Sequence, residues 1–436
     1  MSTPSSTGFL HAWARLIGTA KLPAVARRRG RKPRVPLTDL LPALTFHVMQ
    51  SAGTLSDHLF ELVGASLADS SWSDRRTRLP WEIFADLLRR ALRPRATRRQ
   101  REAFWRGWRL VALDGTQFSL TNTPHITATV EKAQTRRGRA AFAKITTAVL
   151  LEIGLHNPLA AGIGRRGQSE WALALGLLAQ LPKGALVLGD RLYGCAAFAV
   201  HAAAACARVG SHVLLRARAS IKPHVVTRLA DGSRVIRVGV RAPRNPTRIA
   251  AWLEMREIRV RVGRTGHRSH ELRLWTTLMD PAAAPAVELA QLYAQRWEHE
   301  LYFRELKRAL RKTDVLQSHT VETAAQEIAA LVLASALLAT ERMRAAPGGV
   351  PVLRVRFAHV LNIVRGMWLL LGPFDDLMTD RQREQIVRRG RTLMSRCLTA
   401  PRRSRTVPRA IRQPVKKWPR LLHTESVEGP LAFHLV

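Results

Sequence analysis

Acidic residues are scarce in this chain. Its 436 residues carry 32 Asp and Glu against 70 Lys and Arg, a formal net charge of +38. A general enrichment in Arg and Ala accounts for part of this and does not explain an excess of such size. The surplus points to a polyanion partner, because each basic side chain that meets a phosphate releases condensed counterions. Cysteine is rarer still. Cys195, Cys206 and Cys397 are odd in number, far apart and without a CxxC pair, so neither a disulfide framework nor a zinc site is indicated, which suits a reducing cytoplasm. Long apolar runs are missing too. The longest, "IAALVLASALLA" from Ile328 to Ala339, is too short to span a bilayer and reads as a buried core helix. The N-terminal "MSTPSSTGFLHAWARLIGTAKL" lacks the apolar centre of a signal peptide. These absences lead to an expected cytoplasmic setting with no membrane partner. No repeat appears at solenoid periods.

What is present is enough for two or three globular domains: 46% of the residues are hydrophobic. The first hundred residues read as helices, with Thr38 as N-cap of "LTDLLPALTFHVMQ" and Pro80 at the start of "LPWEIFADLLRRAL". The basic run Arg27 to Arg34 ahead of them reads as a solvated or phosphate-contacting arm. From Leu110 short apolar runs take over. "RLVALDGTQFSL", "AKITTAVLLEI" and "NPLAAGIG" predict three strands, followed by a helix capped at Ser169, the buried strand "GALVLGD", an Ala-rich helix and the strand "HVLLRAR". This outlines a mixed α/β layer. Residues 221–280 alternate apolar and basic positions, with hairpin signals at Asp231-Gly232 and Thr265-Gly266, and read as all-β. His267 and His270 nearby have no third ligand and read as turn or surface residues. The chain then returns to helix and ends in a tail, "PRRSRTVPRAIRQPVKKWPRLL", with too little apolar surface to offset its ordering entropy.

Two of the predicted strands end in aspartate, "LVALDG" at Asp114 and "ALVLGD" at Asp190. Carboxylates at the ends of neighbouring buried strands repel each other unless a cation sits between them, and such hard oxygen ligands suit Mg²⁺ or Mn²⁺. Either Asp alone is also a common turn residue. Downstream, "YAQRWEHELYFRELKRAL" from Tyr293 to Leu310 offers three glutamates. On one continuous α-helix, Tyr293, Arg296, Glu300 and Lys307 share an arc of roughly 60°. Glu298 and Glu305 lie more than about 120° from Glu300 and read as helix surface, whose exchange should do little.

The spacing Tyr293, Arg296, Glu300, Lys307 resembles the Tyr-Arg-Glu-Lys signature of the DDE transposases of bacterial insertion sequences, of the fourth insertion-sequence family type. "LDGT" at Leu113 to Thr116 and "GDRLYG" at Gly189 to Gly194 resemble that family's two aspartate strands, in the same order. Leu192 departs from the pattern at a position where Gly is frequent, without touching the chemistry. The likeness covers roughly residues 105 to 345.

The resemblance implies an α/β fold: an RNase H-like catalytic domain interrupted by an all-β insertion, with a helical N-terminal region and a basic C-terminal tail. The corresponding boundaries are 1–105 for a helical DNA-binding region, 106–220 and 281–347 for the two parts of the catalytic domain, 221–280 for the insertion, and 348–436 for C-terminal helices and tail. It further implies that Asp114, Asp190 and Glu300 are catalytic and hold two Mg²⁺ ions, replaceable by Mn²⁺. Arg296, Lys307 and Tyr293 would contact DNA, and the protein would act as a homodimer on double-stranded transposon ends and target DNA, hydrolysing the ends and joining them by transesterification. Trp252 or Trp275 could stack on a base, although both read first as sheet core. The competing readings are a catalytically inactive DNA-binding protein of the same descent, and a simple nuclease or RNA-binding protein relying on charge.

Overall fold

A computed structural model of the chain describes residues 35–50, 52–135, 138–242, 245–263, 270–311, 313–400 and 432–435. The basic run at 27–34, the turn at Thr265-Gly266 with His267, the side chain of His270 and the Pro/Arg-rich tail at 401–422 lie outside the described residues. The chain divides into two compact units, one of residues 1–188, 204–211 and 296–398, the other of residues 189–203, 212–295 and 399–436.

The first unit contains strands β1 (Trp108–Ser119), β2 (Lys144–Glu152), β3 (Asn157–Ile163) and most of β4 (Ala185–Gly189). They lie in the order β3-β2-β1-β4. Leu110 to Leu113 and Ala185 to Leu188 are buried without alternation, as expected of strands covered on both faces. β1 and β2 are antiparallel with Asp114 opposite Val149, which fixes the position of that aspartate along the sheet. The end of β2 is anchored by Glu152, a fully buried carboxylate that accepts from the Arg95 and Ala96 amides at 3.1 Å each and pairs with Arg109.

Helices α1 (Leu37–His47), α2 (Leu55–Val63), α3 (Asp69–Thr77) and α4 (Trp81–Ala91) precede the sheet, and the short α5 (Pro124–Thr129) follows β1. α1 begins two residues earlier than its sequence suggests. Pro36, with φ −72° and no N–H to leave unpaired, occupies the N-cap, and Thr38 falls inside the helix. α6 (Glu170–Leu177) starts where predicted, with Ser169 Oγ accepting from the Ala172 amide at 3.3 Å. In the C-terminal part, α10 (Val321–Ala345), α11 (Phe357–Leu371) and α12 (Asp380–Arg396) complete the unit; α7 to α9 are introduced below. Phe46, Trp72, Phe84, Leu331, Trp368 and Met394 belong to one core, so the N-terminal helices pack with the C-terminal ones. Each such side chain contributes about 1.5–3 kcal/mol by leaving water. Among the described residues α10 is the helix long and apolar enough to cross a membrane by length and composition, and 89% of its apolar window is buried inside the protein. A core helix satisfies both facts.

The second unit is built on five antiparallel strands in the order β5-β9-β8-β7-β6. They are β5 (His212–Arg216), β6 (His224–Arg228), β7 (Arg234–Ala242), β8 (Asn245–Gly263) and β9 (His270–Thr276). Gly232, at φ +80°, makes the turn between β6 and β7. A strand the sequence did not suggest, β10 (Ala432–Leu435), pairs antiparallel with β8. Two helices belong here wholly or partly, α7 (Ala196–Arg208) and α8 (Ala286–Tyr293). The unit's interior is not purely apolar. Arg256 is fully buried, donates to Ser233 Oγ at 2.7 Å and the Ala284 carbonyl at 2.6 Å, and pairs with Asp231. Trp275 is buried with its indole N–H on Glu257 Oε1 at 3.2 Å, whereas Trp252 is 56% exposed and not a core residue.

Candidate active site

In the first unit Asp114 and Glu300 meet on one guanidinium. Arg296 donates from Nη1 to Asp114 Oδ2 at 3.0 Å and from Nη2 to Glu300 Oε1 at 3.2 Å. The second contact is an i,i+4 pair from the N-cap of α9 (Trp297–Arg304) into its first turn, whereas the first reaches from that N-cap to the middle of β1. The Asp114 side chain is 14% exposed and that of Glu300 28%, so solvent reaches both carboxylates. Two like charges this near need a cation between them, and here Arg296 supplies it. The other oxygen of Asp114, Oδ1, accepts from the Gly115 amide at 2.9 Å, which orients the carboxylate on its strand.

The segment from Tyr293 to Leu310 is not one uniform helix. α8 ends at Tyr293, a 3₁₀ turn covers Ala294–Arg296, α9 follows, and a π turn covers Glu305–Leu310. The 3₁₀ turn is tighter than an α-helix and the π turn wider, so the arc drawn at a constant 100° per residue does not apply across it. Lys307, within the π turn, donates from Nζ to the Gln117 carbonyl at 2.7 Å and lies 5.0 Å from the centre of the Phe118 ring. It is thereby held on β1, three residues beyond Asp114. Its burial, then Lys144 and Arg311, lowers the pKa of the amine. Tyr293 belongs to the second unit, where it is buried and donates its hydroxyl to the Gly189 carbonyl at 3.2 Å.

Asp190 follows that carbonyl. Its Oδ1 accepts from the Leu192 amide at 2.7 Å, closing a tight turn. Arg218 secures the turn from outside, by its amide to the Gly194 carbonyl and its Nη2 to the Leu192 carbonyl, each at 3.0 Å. Gly194 is required by space: a Cβ there would lie 1.8 Å from the Arg216 carbonyl oxygen. Leu192 makes these contacts through its backbone amide and carbonyl.

Glu298 and Glu305 are not idle helix surface, contrary to the sequence reading. They face away from Asp114 and clamp His156, a buried residue in left-handed backbone (φ +53°) after β2. His156 Nδ1 donates to Glu305 Oε2 at 2.6 Å and Nε2 to Glu298 Oε2 at 2.9 Å, and Arg342 on α10 donates to Glu305 Oε1 at 3.2 Å. Burial pulls the imidazole pKa down, but the Glu305 charge and the bonds to Glu298 and Glu305 outweigh it and raise the pKa above the ordinary 6.5. Between the two clamping residues, His299 donates Nε2–H to the Val149 carbonyl at 3.1 Å, and burial drives its pKa down to about 3, so it stays neutral. α9 therefore presents Glu300 on one side and is fixed on the other by His156, His299 and the Tyr302–Ser335 hydroxyl pair at 3.0 Å.

Among the described residues no three His, Cys, Asp or Glu side chains form a ready-made metal cluster. The donors that Arg296 joins are nonetheless hard carboxylate oxygens with solvent access, the kind Mg²⁺ and Mn²⁺ prefer.

A carboxylate at mid-strand of a mixed α/β sheet is thus tied through an arginine to a helix glutamate. Residues 105–337 match the transposase DDE domain family, more than half of the chain, and the protein belongs to that family, whose members cut DNA and transfer the cut strand. It is similar to "Transposase InsG for insertion sequence element IS4" of Escherichia coli (strain K12), at 24% identity over 72% of this chain and 70% of that one. It is also similar to "Putative transposase InsZ" of the same organism, at 28% identity over 36% of this chain and half of that one. Among solved structures, a piggyBac transposase synaptic complex with hairpin DNA matches 88% of this chain and 81% of that chain at 8% identity, with a TM-score of 0.44, too loose a likeness to bear on the fold.

Proposed function

We propose that this transposase binds the double-stranded ends of an insertion sequence, cleaves them by metal-dependent hydrolysis, and joins the 3′ ends to target DNA by transesterification, as a homodimer that pairs the two ends. Asp114, Asp190 and Glu300 are the catalytic carboxylates and hold two Mg²⁺, with Mn²⁺ able to substitute. The ions, when bound, supply an activated water or 3′-hydroxyl and a stabilised leaving oxygen for in-line displacement. The chain contributes placement: Asp114 is fixed by the β1–β2 register and the Gly115 amide, Glu300 by the clamp on the back of α9, and Asp190 by its turn. Arg296 and Lys307 contact the phosphate backbone, where charge develops during transfer. Tyr293, which the resemblance casts as a DNA contact, commits its hydroxyl proton to Gly189, and we assign it to holding the residue that precedes Asp190.

The domain plan is an RNase H-like catalytic domain in two parts, 106–220 and 281–347, around a β-rich insertion at 221–280. The helical region 1–105 adds DNA contacts, and 348–436 forms the C-terminal helices and basic tail. The observation that carries the reading is the junction of Asp114 and Glu300 on Arg296, two carboxylates 186 residues apart in sequence brought to one cation by the fold.

The test is cleavage of element-end DNA by the purified protein with Mg²⁺, Mn²⁺ or EDTA, beside Asp114→Ala, Asp190→Ala and Glu300→Gln. The expected outcome is metal-dependent cutting at the boundary, abolished in all three variants, with DNA affinity retained or slightly raised in Glu300→Gln because a negative charge near phosphate is removed. Binding without cutting by the wild type, with the end sequence and metal correct, would instead identify a catalytically silent DNA-binding protein.

A further inference from the structure

Away from Asp114 and Glu300, the first unit carries a second concentration of cationic groups. An open groove of about 710 Å³ lies where the C-terminal end of α10 meets α12, lined by Arg344, Arg381, Arg388, Arg391, Thr392 and Ser395. Glu384 is the acid on its wall. The groove is built rather than merely decorated. Glu341, fully buried below it, accepts from Arg391 Nε at 2.9 Å and Nη2 at 3.1 Å, and from Arg344 Nη1 at 2.8 Å. A guanidinium has five N–H donors in a rigid fork, so both arginines are fixed in direction by Glu341 and still have donors to offer an outer oxyanion. Arg381 and Arg388 form no ion pair with any other described residue.

The spacing of these two arginines selects the ligand. Arg381 and Arg388 stand two turns apart on α12, roughly 10 Å along its axis. That is about three nucleotide steps of one DNA strand at a rise of about 3.4 Å each. Thr392 and Ser395 continue the line, with their hydroxyl protons given to the Arg388 carbonyl at 3.0 Å and the Thr392 carbonyl at 2.8 Å, so the arginines are the donors the groove offers. We propose that this groove seats the phosphodiester backbone of duplex DNA without reading its sequence, an inference that rests on the transposase reading and adds a holding surface to it. Arg344 and Arg391 form the pre-oriented part of the surface, and Arg381 and Arg388 the part that exchanges counterions for phosphates.

The experiment measures affinity against salt for an element-end duplex and for a duplex of unrelated sequence, comparing wild type with the double change Arg381→Gln and Arg388→Gln, and with Arg388→Glu. Each lost phosphate contact removes about 0.9 from the slope of log K against log salt, so the double variant should be shallower by about 1.8. The affinity loss should be equal on both duplexes, for the double variant and for Arg388→Glu alike. An unchanged slope in a variant that melts like the wild type overturns the groove, as does a loss confined to the element-end duplex, which would mean base reading. Wild-type cleavage of the element end, run alongside, separates the two claims. Cutting with an unchanged slope refutes the groove alone, and a wild type that binds neither duplex refutes both.

Discussion

Glu298, Glu300 and Glu305 lie within eight residues of one another, and the fold gives them opposite duties. Glu300 shares Arg296 with Asp114, and the other two close on His156 from the far side of α9. Their separation in direction was legible in the sequence, since side chains two residues apart on a helix diverge by about 200°. Their partner was not. His156 is 142 residues from Glu298, and no local pattern encodes a pairing across that distance. The consequence for mutation is specific. Removing one member of a buried charged pair costs about 3–5 kcal/mol, because the remaining charge is left without a partner. His156→Ala should lower stability by that order in denaturant unfolding, and Glu298→Gln by less, its side chain being 23% exposed. Both should keep residual metal-dependent cutting at low temperature, whereas Glu300→Gln should melt near the wild type and cut nothing. A Glu298→Gln protein as stable as the wild type would remove the clamp from the account.

Among the secondary-structure elements, the strands that bear aspartates were legible because buried strands show as short unbroken apolar runs, and the Ser169 cap because an N-cap is a local hydrogen bond. What escaped was whatever depended on non-local packing. The alternation of basic residues in β8 suggests an outward row, yet Arg256 turns inward to Asp231 and two backbone and hydroxyl acceptors. The 3₁₀ and π turns around α9 carry no signal in a pattern read at 100° per residue. Glycines in the two aspartate motifs separate in the same way. At Gly115 the three atoms nearest an added methyl all belong to the flexible side chain of Glu170, but at Gly194 it would strike the Arg216 carbonyl at 1.8 Å. Gly194→Ala should therefore displace the turn after Asp190, lowering the melting temperature and abolishing cleavage. Gly115→Ala should be the milder change in both measurements. Equal effects would mean that the turn is not what places Asp190.

For the molecule as a whole, buried histidines set the response to pH. Burial first, then His58 and Arg76, drives the His47 pKa from the ordinary 6.5 to about 4, and His299 falls to about 3. A histidine whose folded pKa is depressed stabilises fully above 6.5, and that stability is lost as pH falls from 6.5 toward the folded value. His156 runs the other way: its raised pKa stabilises below 6.5 and is lost as pH rises through the folded value. His58 and His212 are also depressed by burial, so four depressed histidines stand against one raised among the described residues, which gives net destabilisation by acid. Thermal melting should show a falling midpoint from pH 6.5 down to 4, flattened in His47→Gln; a midpoint that rises over that range would reverse the assignment.

The buried acids bear on charge as well as on stability. Glu152, Glu257 and Glu341 are fully enclosed, each neutralised by arginine from within. Negative groups sequestered in this way cannot interrupt the outer cationic layer, so the protein resembles a polyelectrolyte that carries part of its own counterion complement inside. The remainder must be drawn from the solution as small anions gathered at the surface. Those mobile anions are what an arriving duplex displaces, and their return to bulk water makes the favourable entropy of association a property of the medium as much as of the contact.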